Sequence, residues 1–172
     1  MHLALVGMMG SGKTTVGRRV AAALHRPFFD SDQMIEAREG RTVREIWLTD
    51  GEPAYRVLET KVLEEALASP EPAVVAAAGG VVLKEENRRL LTGAGVCTVR
   101  LVADPEVLVA RVGRQGHRPL LDDDPLTALR RLSSEREDLY REVADATVET
   151  GRAPIKEVTD EVLRVLASCE AP

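Results

Sequence analysis

Residues 7–14 read Gly7-Met-Met-Gly-Ser-Gly-Lys13-Thr14, the pattern G-x-x-x-x-G-K-S/T, and they follow directly on an apolar run at residues 3–6. Few short patterns constrain a fold more. Glycines let successive backbone N–H groups turn inward around an anion without a Cβ in the way. A helix that starts at the end of such a loop adds the positive end of its dipole. The flanks supply both elements. Residues 3–6 suit a buried strand. Val16, Val20, Ala23 and Leu24 recur at i, i+4, i+7 and i+8, the spacing of an amphipathic helix. Strand, glycine loop and helix, with Lys and Thr at the junction, make a nucleoside-triphosphate loop. Lys13 reaches the β- and γ-phosphates and Thr14 offers its hydroxyl to Mg²⁺. Gly10, Ser11, Gly12, Lys13, Thr14 and Thr15 are the expected contacts to the nucleotide.

The rest of the chain repeats the alternation. Strand-like runs at 28–29, 73–77, 96–102 and 146–148 are separated by helical patterns, the longest over 126–143. The 172 residues suit a single domain, 1–172. Strands that alternate with helices predict an α/β fold with three α/β/α layers and a five-stranded parallel sheet covered on both faces. Ligands of such sheets collect at the carboxyl ends of the strands, and each motif below follows a strand. Residues 113–125 are polar, carry Gly and Pro, and sit between two helical patterns. A connection of that length inside a compact domain is commonly functional; it reads as a lid.

Other classes are excluded. The net charge of −5 and the 3% aromatic content argue against nucleic acid as a partner. No apolar run reaches the ~18 residues of a membrane span, and the N-terminus lacks the basic start of a signal peptide. A GTPase would carry a guanine-reading N-K-x-D, which is absent. Cys97 and Cys169 match no metal spacing and form no C-x-x-C. They are expected to be unpaired, in a reducing, cytoplasmic setting. A monomer is expected.

The second strand ends in Asp30-Ser31-Asp32. Asp30 and Asp32, at i and i+2 of an extended segment, share one side. One carboxylate can hold Mg²⁺ through water while the other accepts a proton from an attacking hydroxyl. The alternative is that both favour a helix start, with Ser31 as a possible cap.

The run from Phe29 through Asp30-Ser-Asp32 to Glu36, then Gly40-Arg-Thr-Val-Arg-Glu-Ile-Trp47, then Asp50-Gly-Glu-Pro-Ala-Tyr-Arg56-Val-Leu-Glu59, resembles the shikimate kinases, of the nucleoside-monophosphate-kinase branch of P-loop proteins. The likeness continues through Arg118-Pro-Leu-Leu and Leu139-Tyr-Arg141 and so covers nearly the whole chain. It implies phosphorylation of the 3-hydroxyl of shikimate by Mg²⁺·ATP, within aromatic amino acid biosynthesis. It assigns 31–60 to a small helical shikimate-binding segment. Asp32 is implied as the base and Asp30, with Thr14, as the metal position. Arg56 and Arg141 are implied to grip the shikimate carboxylate, which suits the bidentate guanidinium fork. Gly79 and Gly80 are implied at the ring. Arg118 is similar to the lid arginine that reaches the transferring phosphoryl group, so that Lys13, Asp32 and Arg118 form the catalytic set. Arg111 and Pro154 resemble the pair that brackets adenine, with Arg152 beside them. Trp47 and Tyr55 resemble aromatic residues of the pocket wall.

One departure stands out. The family has three consecutive glycines after the third strand, and here the first is Ala78, before Gly79 and Gly80. If that position needs φ > 0, or its Cβ fills the pocket, the substrate differs. A kinase for another small hydroxy acid, or a catalytically silent nucleotide-binding homologue, is the alternative reading.

Overall fold

The structure is a computed structural model that describes residues 1–112 and 124–171. Five strands, β1 (His2–Val6), β2 (Phe28–Asp30), β3 (Val74–Ala76), β4 (Val96–Val102) and β5 (Ala146–Glu149), form one sheet in the order β2-β3-β1-β4-β5. Every neighbouring pair is parallel. β1 lies at the centre and shows why its sequence is apolar without alternation. Leu3 and Leu5 enter one core with Val74, Val99 and Leu101. Ala4 and Val6 enter the other with Val75 and Ala77. A strand covered on both faces has no polar side to offer. Truncating Leu3 or Leu5, both 0% exposed, to alanine would cost about 2–5 kcal/mol.

Helices α1 (Lys13–Leu24) and α8 (Ile155–Glu170) cover the first core with Val16, Val20, Val158, Val162 and Leu166. Helices α4 (Gly51–Leu67), α5 (Glu85–Leu91), α6 (Pro105–Val112) and α7 (Pro125–Val143) cover the second with Leu63, Leu91, Leu108 and Leu129. The expected three layers are present. A third, small cluster of Ile35, Ile46, Tyr55 and Val62 anchors α2 (Ser31–Glu39) and α3 (Val43–Thr49) against the start of α4. Residues 31–60 thus lie mostly in these three helices, with 40–42 and Asp50 between them, and α4 continues to Leu67.

Helix ends depart from expectation in two places. Asp30, not Ser31, caps α2: its Oδ1 accepts from the backbone N–H groups of Asp32 and Gln33 at 3.1 and 3.3 Å. Ser31 is buried, with its hydroxyl donating to the Ala76 carbonyl at 3.1 Å and accepting from the Ala78 N–H at 3.2 Å. Asp124 caps α7, and Pro125 is its first residue. The last two residues of the expected 113–125 lid thus belong to a helix start; residues 113–123, Arg118 among them, lie outside the described residues.

The expectation of unpaired cysteines fails. Cys97 on β4 and Cys169 on α8 are joined as a disulfide across 72 residues of sequence, with Cα atoms 6.1 Å apart. Spacing rules read local patterns, and here only the packing of α8 on the sheet brings the two together. The cysteines therefore do not mark a reducing compartment. No helix among the described residues is long and apolar enough to cross a membrane.

Candidate active site

The loop after β1 is shaped by its neighbour β4. Gly7 has φ +140°, and a Cβ there would stand 2.2 Å from the Leu101 carbonyl oxygen. Only glycine fits against that backbone. Lys13 opens α1 and spans the loop, its Nζ donating to the Gly7 and Met8 carbonyls at 2.8 and 3.0 Å. The Thr14 hydroxyl donates to Asp30 Oδ2 at 2.6 Å. Asp30 therefore caps a helix with one oxygen and holds Thr14 with the other, so the helix-start reading does not exclude a second role for it. A hydroxyl and a carboxylate meeting beside a phosphate loop are hard oxygen donors of the kind Mg²⁺ takes.

β1 and β3 are neighbours, and the chain leaving β3 runs along the phosphate loop; a Cβ on Gly79 would lie 3.4 Å from the Met9 nitrogen. Between these loops and the helices α2–α4 opens a cleft of about 960 Å³. Its lining gathers Gly10, Ser11, Gly12, Lys13, Thr14, Thr15, Asp30, Asp32, Arg56, Gly79, Gly80 and Arg111. These are most of the residues singled out in the sequence. Trp47 and Tyr55 line it too, their rings 5.2 Å apart.

Opposite the phosphate loop, acidic and basic side chains interlock. Tyr55 donates to Asp32 Oδ1 at 2.9 Å; burial first, and then the Asp32 carboxylate, push its hydroxyl well above the ordinary tyrosine range, so it stays a donor. The Arg56 guanidinium lies over Trp47 and Tyr55, 5.4 and 5.3 Å from their centroids. Its Nη1 donates to both oxygens of Glu59 at 2.9 and 3.0 Å, and its Nε and Nη2 to Glu52 Oε1 at 3.1 and 2.9 Å. Glu59 is 0% exposed. Burial pushes its carboxyl up to about 7 although Arg56 pulls the other way. Gly80 makes room for the arrangement, since a Cβ there would meet Arg56 Nη1 at 2.0 Å.

Ala78 fits without strain. His25 is the sole non-glycine residue with positive φ among those described, so the missing glycine was not needed for a left-handed turn. Ala78 lines the cleft and gives its N–H to Ser31 Oγ.

Of two arginines on α7, Arg136 lines the cleft and the expected Arg141 does not. Arg141 has a side chain 69% exposed and pairs with Glu137 and Asp138 on the outside of α7. Arg136 is 4% exposed, lines the cleft, and donates Nη1 to the Gly79 carbonyl at 3.0 Å. Tyr140 donates to the same carbonyl at 2.5 Å, its hydroxyl pushed up to about 12 by burial. A signal for Arg136 was in the sequence. The buried stripe of α7 runs Leu129, Leu132, Arg136, Tyr140, Val143, and an arginine on an apolar stripe asks for an internal partner. Arg141 falls off that stripe. Glu59 gave the same signal on α4.

On the nucleotide side Arg111 joins the phosphate loop to the segment after β5, donating to the carbonyls of Gly10 at 3.3 Å and Thr150 at 2.6 Å. Arg152 and Pro154 are exposed and do not line the cleft; Ala153, Ile155 and Val158 do.

A phosphate loop on a parallel sheet of this order, facing an aspartate and buried arginines, defines a P-loop kinase. The family model described as shikimate kinase matches residues 9–167, and the chain belongs to the shikimate kinase family. A shikimate kinase of Nitrosococcus oceani is 45% identical over 166 residues, 96% of this chain and 86% of that protein. A shikimate kinase from Acinetobacter baumannii, solved in complex with shikimate, superposes with a TM-score of 0.92 at 38% identity, covering 99% of this chain and 95% of that one. A gluconokinase from Sinorhizobium meliloti shares the fold, with a TM-score of 0.66 at 24% identity over 98% and 92% of the two chains.

Proposed function

We propose that this enzyme transfers the γ-phosphoryl group of ATP to the 3-hydroxyl of shikimate, giving shikimate 3-phosphate and ADP, a step towards chorismate and the aromatic amino acids. One observation carries the reading. Asp32 and the buried guanidiniums of Arg56 and Arg136 open on the same cleft as Lys13 and the phosphate loop. A hydroxy acid held by its carboxylate at the arginines places a ring hydroxyl near Asp32. Arg136 takes the role first expected of Arg141.

Asp32 accepts the proton of the 3-hydroxyl, the oxygen bonds to the γ-phosphorus, and the bond from that phosphorus to the bridging oxygen of ADP breaks. Lys13 and the loop N–H groups stabilise the charge on the phosphoryl oxygens. Thr14 and, through water, Asp30 would hold Mg²⁺, which supplies further neutralisation of the phosphates when bound. Arg118 is assigned the same task from the lid, where it also excludes water and so limits idle hydrolysis. Arg111 is assigned to one side of adenine, with Ala153 and Ile155 opposite it in place of Pro154. The described lining of the cleft comes from one chain, which fits a monomer, and ATP as donor fits the cytoplasm.

An assay of ADP release over shikimate, gluconate and a nucleoside monophosphate tests the reading. Shikimate is expected to exceed the others in kcat/KM by at least about a hundredfold, since buried polar groups left unpaired by a wrong substrate discriminate strongly. Comparable values for gluconate would overturn it.

A further inference from the structure

We infer that Arg44 is a specificity-determining residue that presents a further guanidinium to the carboxylate of the acceptor; the inference rests on the shikimate reading and deepens it.

Arg44 is the second residue of α3, in the first turn, where the positive end of the helix disfavours a cation. Its neighbours are placed differently. Arg41 is paired with Asp50 and Glu39, and Arg38 with Glu65. Among the described residues Arg44 makes no ion pair, and its Nη1 is buried with no hydrogen-bond partner. A guanidinium with a buried N–H and no acceptor is costly. Nothing in the packing of α3 explains the expense, because the helix is anchored by Ile46 and started by the Thr42–Glu45 capping box.

Its position does offer an explanation. Arg44 lines the cleft together with Val43 and Trp47. It shares a helix face with Trp47, three residues on, and the Trp47 ring carries the Arg56 guanidinium at 5.4 Å. Arg44 thus flanks the end of the cleft where Arg56 sits, and Nη1 and Nη2 of Arg56 already donate to Glu59 and Glu52, which leaves that guanidinium fewer N–H groups for the acid. Glu36, a cleft carboxylate on α2, accepts from the Val43 N–H at 3.0 Å. An acid entering the cleft supplies the acceptor that Arg44 lacks.

The test measures KM and kcat for shikimate, and for its neutral carboxamide, in the full-length enzyme and in Arg44→Ala and Arg44→Lys. One charge-assisted hydrogen bond corresponds to about a tenfold change. Arg44→Ala is expected to raise the shikimate KM about tenfold while kcat and the ATP KM stay within about twofold, and Arg44→Lys to recover part of the loss. The carboxamide KM should be the same in all three. An unchanged shikimate KM, or an equal rise with the carboxamide, overturns the inference. A parental enzyme that prefers gluconate overturns instead the reading on which it rests.

Discussion

The two walls of the cleft are built on opposite principles. The nucleotide wall is mostly backbone: a glycine loop folded against β4, with Lys13 pinned to the Gly7 and Met8 carbonyls. The opposite wall is mostly side chain: Asp32, Tyr55, Arg56 and Arg136 line it, drawn from α2, α4 and α7 and tied by hydrogen bonds, with Glu59 and Tyr140 buried behind them. A backbone site recognises what all nucleoside triphosphates share, and a short contiguous stretch suffices for it. A side-chain site recognises one molecule, and its parts come from distant segments. That difference explains why the fold is shared with a gluconokinase while the acceptor chemistry is not fixed by the fold.

Mutations can break this contrast. The largest effect is expected from Asp32→Asn, which removes the base: turnover should fall by about 10²- to 10⁴-fold while ATP binding, followed by titration calorimetry, stays within about threefold. Near-normal turnover would remove Asp32 from the chemistry. Next come the glycines, one per wall. Gly7→Ala drives a Cβ into the Leu101 carbonyl and Gly80→Ala drives one into the Arg56 guanidinium. The first should weaken ATP binding more than about tenfold, the second shikimate binding to a similar degree with ATP spared. If both variants lose both ligands equally, the walls are not independent.

A sharper comparison lies along one helix. Arg136→Ala should raise the shikimate KM at least about tenfold, as for a lost charge-assisted pair. Arg141→Ala, which loses only exposed ion pairs, should change it less than about twofold. The reverse ranking would restore Arg141.

The smallest effect is a pH dependence. Glu59 is pushed up to about 7 from an ordinary 4.5, so in the folded protein it takes a proton as the pH falls through 7. Its hold on Arg56 then weakens, and kcat/KM for shikimate should decline on the acid side of 7. The linkage to stability has the opposite slope. A raised folded-state value means that protonation favours the folded form, so stability declines as the pH rises from 4.5 to 7. Glu59→Gln should flatten both profiles; an acid limb that persists unchanged assigns it to another group.

Much of this molecule was legible along the chain. The Gly7–Thr14 loop, the strands and the Asp30/Asp32 pair depend on local pattern, because a phosphate loop needs its residues adjacent and a doubly covered strand needs a continuous apolar run. Arg56 was legible through the family likeness and Ala78 as its one departure.

The remainder required the packed helices. Whether Arg136 or Arg141 faces the cleft depends on the rotation of α7 about its axis, which the buried stripe sets. Ala78 brings no backbone strain because it stays out of the left-handed region, which the sequence does not state. Cys97 meets Cys169 because α8 lies on β4, and the packing leaves Arg44 Nη1 buried without a hydrogen-bond partner among the described residues. The sequence by itself determined the phosphate loop, whose residues are adjacent. The tertiary structure decided the acceptor wall, because burial and hydrogen bonding between distant helices select which charges face inward.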